Sequence, residues 1–202
     1  EDTVKELSDL GVKVKAYASN AADFADTQAT VEKIHEDFGH IDILVNNAGI
    51  TRDGLMLRME ESQWDAVINV NLKSAFNYIH AVTPIMSRQK GGSIINMASV
   101  AGLVGGHPTL LYPASKGAVE NLTRAMAAHH GPDHIRVNCV APGVIDTDMN
   151  AMHGGDVMQS LADETPLERI GRADEVADSI LYLCSEKASF VTGQVLGVTG
   201  GF

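Results

Sequence analysis

The sequence predicts an α/β domain, a parallel sheet with helices on both of its faces. Three observations carry this. Strand-like runs recur at 41–45, 93–97, 135–140 and 194–198, and the first is a compact apolar run such as a buried parallel strand leaves. Stretches of helical period separate these runs, and strand–helix alternation is the signature of parallel crossover units. The 202 residues are 45% hydrophobic and carry no internal repeat, low-complexity tract or linker. Residues 1–202 therefore read as one domain, long enough to bury a substantial core.

The elements follow in order. Val4, Leu7 and Leu10 have helical spacing, and Gly11 stops that helix. A short strand is expected over Lys13 to Ala18. Residues 26–38 read as a helix with Val31, Ile34 and Phe38 on one stripe and Gly39 at its end. After the strand at 41–45 comes a turn-like stretch, then a long helix from about Glu60 to Ser87. Its stripe is Ile68, Leu72, Ala75, Ile79 and Val82, and Asn71 falls on the same face. A polar side chain aimed inward is either satisfied by neighbouring backbone or stands beside a site. Ser99 to Leu111 reads as a Gly- and Val-rich loop. A helix starts near Tyr112, with Pro113 tolerated in its first turn. It turns Val119, Leu122 and Met126 inward and breaks at Gly131-Pro132. The turn Ala141-Pro142-Gly143 follows the third apolar run, residues 150–165 show no clear pattern, and a last helix spans about Ala173 to Ser185.

The formal charge of −11 argues against nucleic acid and against anionic membrane as partners. Cys139 and Cys184 sit in apolar contexts and read as buried free thiols. The eight histidines show no metal-ligand spacing, and the adjacent His129 and His130 fit a helix C-terminus. No signal peptide or long apolar span is present, which places the expected compartment in the cytoplasm.

The chemistry-bearing constellation is Ser99, Tyr112 and Lys116. Tyr112 and Lys116 lie four apart and share a helix face. A free phenol has a pKa near ~10, and a fixed ammonium beside it favours the phenolate. With a hydroxyl opposite, that is equipment for moving a proton to or from a carbonyl or alcohol oxygen. The run Asn46-Asn47-Ala48-Gly49 follows an apolar strand, and Asn and Gly favour a strand-ending turn.

In this order, Asn46-Asn47-Ala48-Gly49, Asn71, Ser99, Tyr112-x-x-x-Lys116 and Pro142-Gly143-Val144-Ile145-Asp146-Thr147 make the chain resemble the short-chain dehydrogenase/reductase family from about residue 13 onward. Within it, the stretch 50–59 is most similar to 3-oxoacyl-[acyl-carrier-protein] reductases. The resemblance implies a Rossmann-like doubly wound parallel sheet and NADP or NAD as cofactor. It implies interconversion of a ketone, or a 3-oxoacyl thioester, and a secondary alcohol. It makes Tyr112 the general acid/base, Lys116 the group that lowers its pKa and holds the nicotinamide ribose, and Ser99 the group that orients the substrate oxygen. Asn71 would anchor a water between Lys116 and solvent. Asn46, Ala48 and Gly49 would line the cofactor. Pro142, Gly143, Val144, Ile145 and Thr147 would meet its nicotinamide and phosphate side. Asn20 stands where the family often has an Asp touching adenine.

The family's first strand, Gly-rich turn, helix and second strand have no counterpart here, a gap on the scale of one βαβ unit. That turn cradles the pyrophosphate, and the residues that read the ribose 2′ position fall in the same gap. The expectation is an N-terminally truncated sheet that lacks its first βαβ unit. The alternative is a catalytically inactive Rossmann-like module kept for binding or oligomerisation. Pro113 and Thr199 also depart from the family pattern. The resemblance further implies a homo-tetramer or homo-dimer, and an acyl carrier protein as partner. Asp133 and the acidic surface weaken that partnership, while Arg88 and Lys90 offer a local basic patch.

Overall fold

The computed structural model describes residues 2–52, 54–105, 110–150 and 154–201. Four strands, β1 (Ile43–Asn46), β2 (Gly92–Met97), β3 (Ile135–Pro142) and β4 (Val195–Val198), pair in parallel in the order β1-β2-β3-β4. The register sets Asn46 beside Asn96, Asn96 beside Cys139, and Cys139 beside Val195. The C-terminal ends of the strands therefore open on one side, where ligands meet sheets of this kind.

Helices α1 (Asp2–Asp9) and α2 (Phe24–Phe38) precede β1. Between β1 and β2 lie α3 (Glu61–Ile68) and α4 (Ser74–Gln89), joined without a break by a wide turn at Asn69–Lys73. Then come α5 (Val100–Val104), α6 (Leu111–His130), α7 (Gly155–Glu164) and α8 (Ala173–Cys184).

Strand alternation sorts the core into two layers. Ile94, Ile135 and Val137 point to a cluster with Val31 of α2, Ile79, Val82 and Met86 of α4, and Ala127 of α6. Ile95, Met97 and Val140 point the other way, onto Val176 and Leu183 of α8. Helices thus cover both faces of β2 and β3. On β1, the edge strand, Leu44 packs on the first cluster, while Ile43 and Val45 remain 50% and 39% exposed.

Three sequence expectations are corrected. Lys13–Ala18 forms no strand. Its alternation serves side chains that tie it to the end of α2: Lys13 Nζ donates to the Asp37 carbonyl at 2.6 Å and lies over the Phe38 ring, and Tyr17 donates to Asp37 Oδ2 at 2.6 Å. The stretch 99–111 is not all loop, because it contains α5; residues 106–109 lie outside the described residues, as do 151–153 of the stretch 150–165, which holds α7. On the long helix the apolar stripe holds from Ala75 onward, but upstream the fully buried residue is Val67, not Ile68. The wide turn takes up an extra residue, with the Ser74 N–H reaching Asn69 O, and so shifts the phase.

Candidate active site

β2 ends at Met97, and two residues later Ser99 caps α5, its Oγ accepting from the Ala101 N–H at 3.3 Å. α5 then crosses α6 at van der Waals contact between Gly102 and Gly117. A Cβ on Gly102 would stand 2.8 Å from Gly117 N and from Glu120 Oε1, and one on Gly117 would stand 3.0 Å from Gly102 O. Two missing side chains thus bring the short helix that starts at Ser99 down onto the first turns of α6, which carry Tyr112 and Lys116.

Lys116 is 4% exposed. Its Nζ donates to the Met97 carbonyl at 2.6 Å and lies 5.5 Å from the Tyr112 ring centroid. Burial penalises the ammonium and lowers its pKa to about 8. Tyr112 is half-buried. Cys139 lies fully buried on β3, and burial pushes its thiol up to about 11, so it is inert at neutral pH. Glu120, one turn beyond Lys116, is also buried, and burial raises its carboxyl pKa.

Asn71, 3% exposed, sits in the wide turn. Its Nδ2 donates to the Ile50 carbonyl at 3.0 Å and to Ser115 Oγ at 2.9 Å, and its Oδ1 accepts from the Ile50 N–H at 2.8 Å. The Ile50 N–H fixes which end of the amide is oxygen. Both amide hydrogens go to protein, so a water between Lys116 and solvent has only the remaining Oδ1 lone pair at this side chain. Gly49, beside Ile50, faces the same spot: a Cβ there would lie 3.4 Å from Lys116 Nζ and 3.6 Å from Asn71 Oδ1.

The remaining expected residues stand on other elements, each with local partners of its own. Asn46 donates to Asn96 Oδ1 at 2.9 Å, and Asn96 donates to Thr123 Oγ1 at 2.9 Å, a polar ladder from β1 to α6. With Ala48, Ala21, Ser74 and Tyr78, Asn46 lines a cavity of about 120 Å³. Asn20 lines a separate, open groove with Asp23, Asn69 and Lys73, and its Oδ1 is spent locally on the Ala22 N–H at 3.2 Å. It does not join the Tyr112–Lys116 cluster. At the end of β3, the Gly143 N–H donates to Val198 O at 2.9 Å, and a Cβ on Gly143 would stand 2.9 Å from the Thr199 Cα. Val144 and Asp146 bond Gly171, which leaves Ile145 buried and Thr147 exposed on the same open side of the sheet.

The family model described as enoyl-(acyl carrier protein) reductase matches residues 1–202. A 3-oxoacyl-[acyl-carrier-protein] reductase of Thermotoga maritima is 45% identical over 201 residues, all of this chain and 82% of that protein. The chain belongs to the short-chain dehydrogenase/reductase family. The family's reach shows in two further relatives. Nodulation protein G of Azospirillum brasilense is 43% identical over 95% of this chain and 78% of its own length. The crystal structure of a gluconate 5-dehydrogenase from Burkholderia cenocepacia, in complex with NADP and tartrate, superposes with a TM-score of 0.94 at 33% identity, covering 98% of this chain and 79% of that one.

Sequence reading missed Ser115, the Gly102–Gly117 crossing and the Asn96–Thr123 ladder. Ser115 does lie inside the Tyr-x-x-x-Lys run, one residue before Lys116, and falls on the buried side of α6 by its phase with Val119. The crossing carried no local signal, because each glycine acts on the other across fifteen residues of chain.

Proposed function

We propose that the chain is an NAD(P)-dependent oxidoreductase that interconverts a ketone and a secondary alcohol, with 3-oxoacyl thioesters as its substrate class. The observation that carries this is the buried Lys116 ammonium, fixed on the Met97 carbonyl and set 5.5 Å from the Tyr112 ring. The site's composition fits the nicotinamide end of a dinucleotide: Gly49 leaves room beside Lys116 Nζ, and the Asn46–Ala48 turn borders a cavity. The bound dinucleotide supplies or accepts the hydride.

The chain's own residues handle the proton and the geometry. Tyr112 gives its phenolic proton to the substrate oxygen during reduction. Lys116 carries positive charge below about pH 8 and stabilises the phenolate that remains. Ser99 orients the substrate oxygen from the start of α5. Lys116, Gly49, Asn46 and Ala48 hold the nicotinamide side, with Pro142, Gly143, Val144, Ile145 and Thr147 opposite and Asn20 toward adenine. Asn71 holds the turn that carries Gly49.

The apolar surface around this opening supports an acyl substrate. Leu103, Val104 and Leu110 before α6, and Met149 and Val157 after β3, all stand exposed. Arg88 and Lys90 are exposed near the end of α4, and the nearby Asp133 is engaged by Ser87 at 3.0 Å and by His130 at 3.6 Å. α4 leads into the start of β2 whereas Ser99 follows its end, so these cations lie at the far end of the sheet from Tyr112 and do not flank the opening of the site. No helix among the described residues is long and apolar enough to cross a membrane. We assign the protein to the cytoplasm, as a homo-tetramer or homo-dimer.

The test is reduction of acetoacetyl thioester with NADPH and with NADH, followed at the nicotinamide absorbance. Tyr112→Phe is expected to lower kcat by roughly a thousandfold, within the usual span for losing a general acid, with dinucleotide Kd unchanged. Turnover near the parent's in that variant, or no dinucleotide binding by the parent, overturns the reading.

A further inference from the structure

We propose that Ser115 is a positioning residue, which fixes the backbone of Tyr112 to the Gly49–Ile50 turn through Asn71. The inference rests on the oxidoreductase reading above and adds a residue to it.

Ser115 is 0% exposed, and its hydroxyl has two partners. Its proton goes to the Tyr112 carbonyl at 2.8 Å, and its oxygen accepts from Asn71 Nδ2 at 2.9 Å. A hydroxyl offers one donor and two acceptor sites, so both contacts are made without competition. Asn71 in turn holds both polar backbone groups of Ile50. The chain of bonds therefore runs from the general acid's own peptide, through Ser115 and Asn71, to the turn that faces Lys116 Nζ.

The first turn of α6 has reason to be tied in this way. The helix begins at Leu111, so Tyr112 is its second residue. Tyr112 stands at that end of the helix, and its phenol must keep one distance from Lys116 and from a substrate oxygen. Ser115 sits one residue before Lys116 on the well-packed side of the helix, so it holds Tyr112 from the more rigid part. Loss of the hydroxyl leaves an Asn71 N–H unpaired in the interior and frees the Tyr112 carbonyl from its side-chain partner. The polar chain between the two halves of the site is then cut at its middle.

The test compares Ser115→Ala, Ser115→Cys and Ser115→Thr in the active enzyme. Each kcat is referred to the amount of protein that binds dinucleotide, so that unfolded protein is not counted. Ser115→Ala is expected to lower kcat about tenfold, one decade of barrier, with the thioester KM within about twofold. The alkaline limb of the reduction should move up by about half a pH unit, since a phenol held less closely to an ammonium gives up its proton less readily. Ser115→Thr keeps the hydroxyl and restores both. Ser115→Cys keeps the volume and, as a weak donor, falls between; it carries the test if Ser115→Ala does not fold. Either hydroxyl-free variant folded with parental kcat and pH profile overturns the proposal, as does a loss that vanishes once dinucleotide-binding protein is counted. An inactive parent would instead overturn the oxidoreductase reading itself.

Discussion

Gly49 and Lys116 face one another across the site, so that the first carbon of any side chain on the glycine would stand 3.4 Å from the lysine Nζ. That is ordinary contact, so Gly49→Ala should fold with an unchanged melting temperature. The added methyl occupies space the proposed cofactor borders. Dinucleotide Kd is expected to rise about tenfold, and more for Gly49→Val. Fluorescence titration of the folded variants checks this; unchanged affinity would remove Gly49 from the cofactor wall.

Lys116 makes a prediction about stability and pH. Burial holds its pKa at about 8 in the native chain, against 10.5 for an ordinary lysine. Between those values the unfolded chain binds more protons than the native one, so this group's contribution to stability rises with pH across that window and is level below it. Urea denaturation at stepped pH from 7 to 10 should show that rise in the parent. Lys116→Met should lack it. A parallel pH dependence in both proteins would mean that the lysine is not buried as charge.

Asn71 satisfies three groups: the two polar backbone atoms of half-buried Ile50 and the buried Ser115 hydroxyl oxygen. Asn71→Ala leaves the Ile50 pair without partners. The expected destabilisation is about 3 kcal/mol, the range for stranded buried polar groups, measured as a shift of the urea midpoint at constant slope. A loss below about 1 kcal/mol would mean that water replaces the amide.

The α5–α6 crossing tolerates no carbon. Gly102→Ala sets a methyl 2.8 Å from the Gly117 nitrogen, from the Lys116 carbonyl carbon and from Glu120 Oε1. Backbone must move, at a cost of about 2 kcal/mol for an overpacked contact. The short helix that Ser99 caps is the part free to shift, so thioester reduction should fall further than stability does. Crystallography of the variant should find Ser99 displaced, and an unmoved Ser99 with full activity would refute the link.

Much of the fold was legible because buried strands leave short, mainly apolar runs between helical stretches; the four described strands of the sheet stand where such runs predicted them. Lys13–Ala18 misled because Val-Lys-Val-Lys-Ala alternates as an edge strand does, and pattern cannot tell a ladder from lysines that reach back to a helix end. Asn71's inward aim followed from helical phase alone. The wide turn around it did not, since one surplus residue in a helix leaves no compositional trace. Ser115 escaped notice for a different reason: the Tyr-x-x-x-Lys spacing directs attention to its ends, and a serine between them reads as filler until its two partners are seen. Asn20 is positioned by its own turn, where its oxygen accepts from the Ala22 N–H.

The swollen turn at Asn69–Lys73 has a consequence for how this protein can change. Removing a single residue there would let α3 and α4 fuse into one straight rod with regular bonding throughout. Because the surplus residue is absorbed inside the turn, Val67 and the Ala75 stripe would keep facing the same way, and only the side chains of the turn itself would be re-aimed. The amide that now spans from the rod to Ile50 and Ser115 would swing out of reach of both. A mutant selected for a stiffer helix would thus emerge with its two catalytic halves unfastened, which makes this irregularity the last place where length can drift.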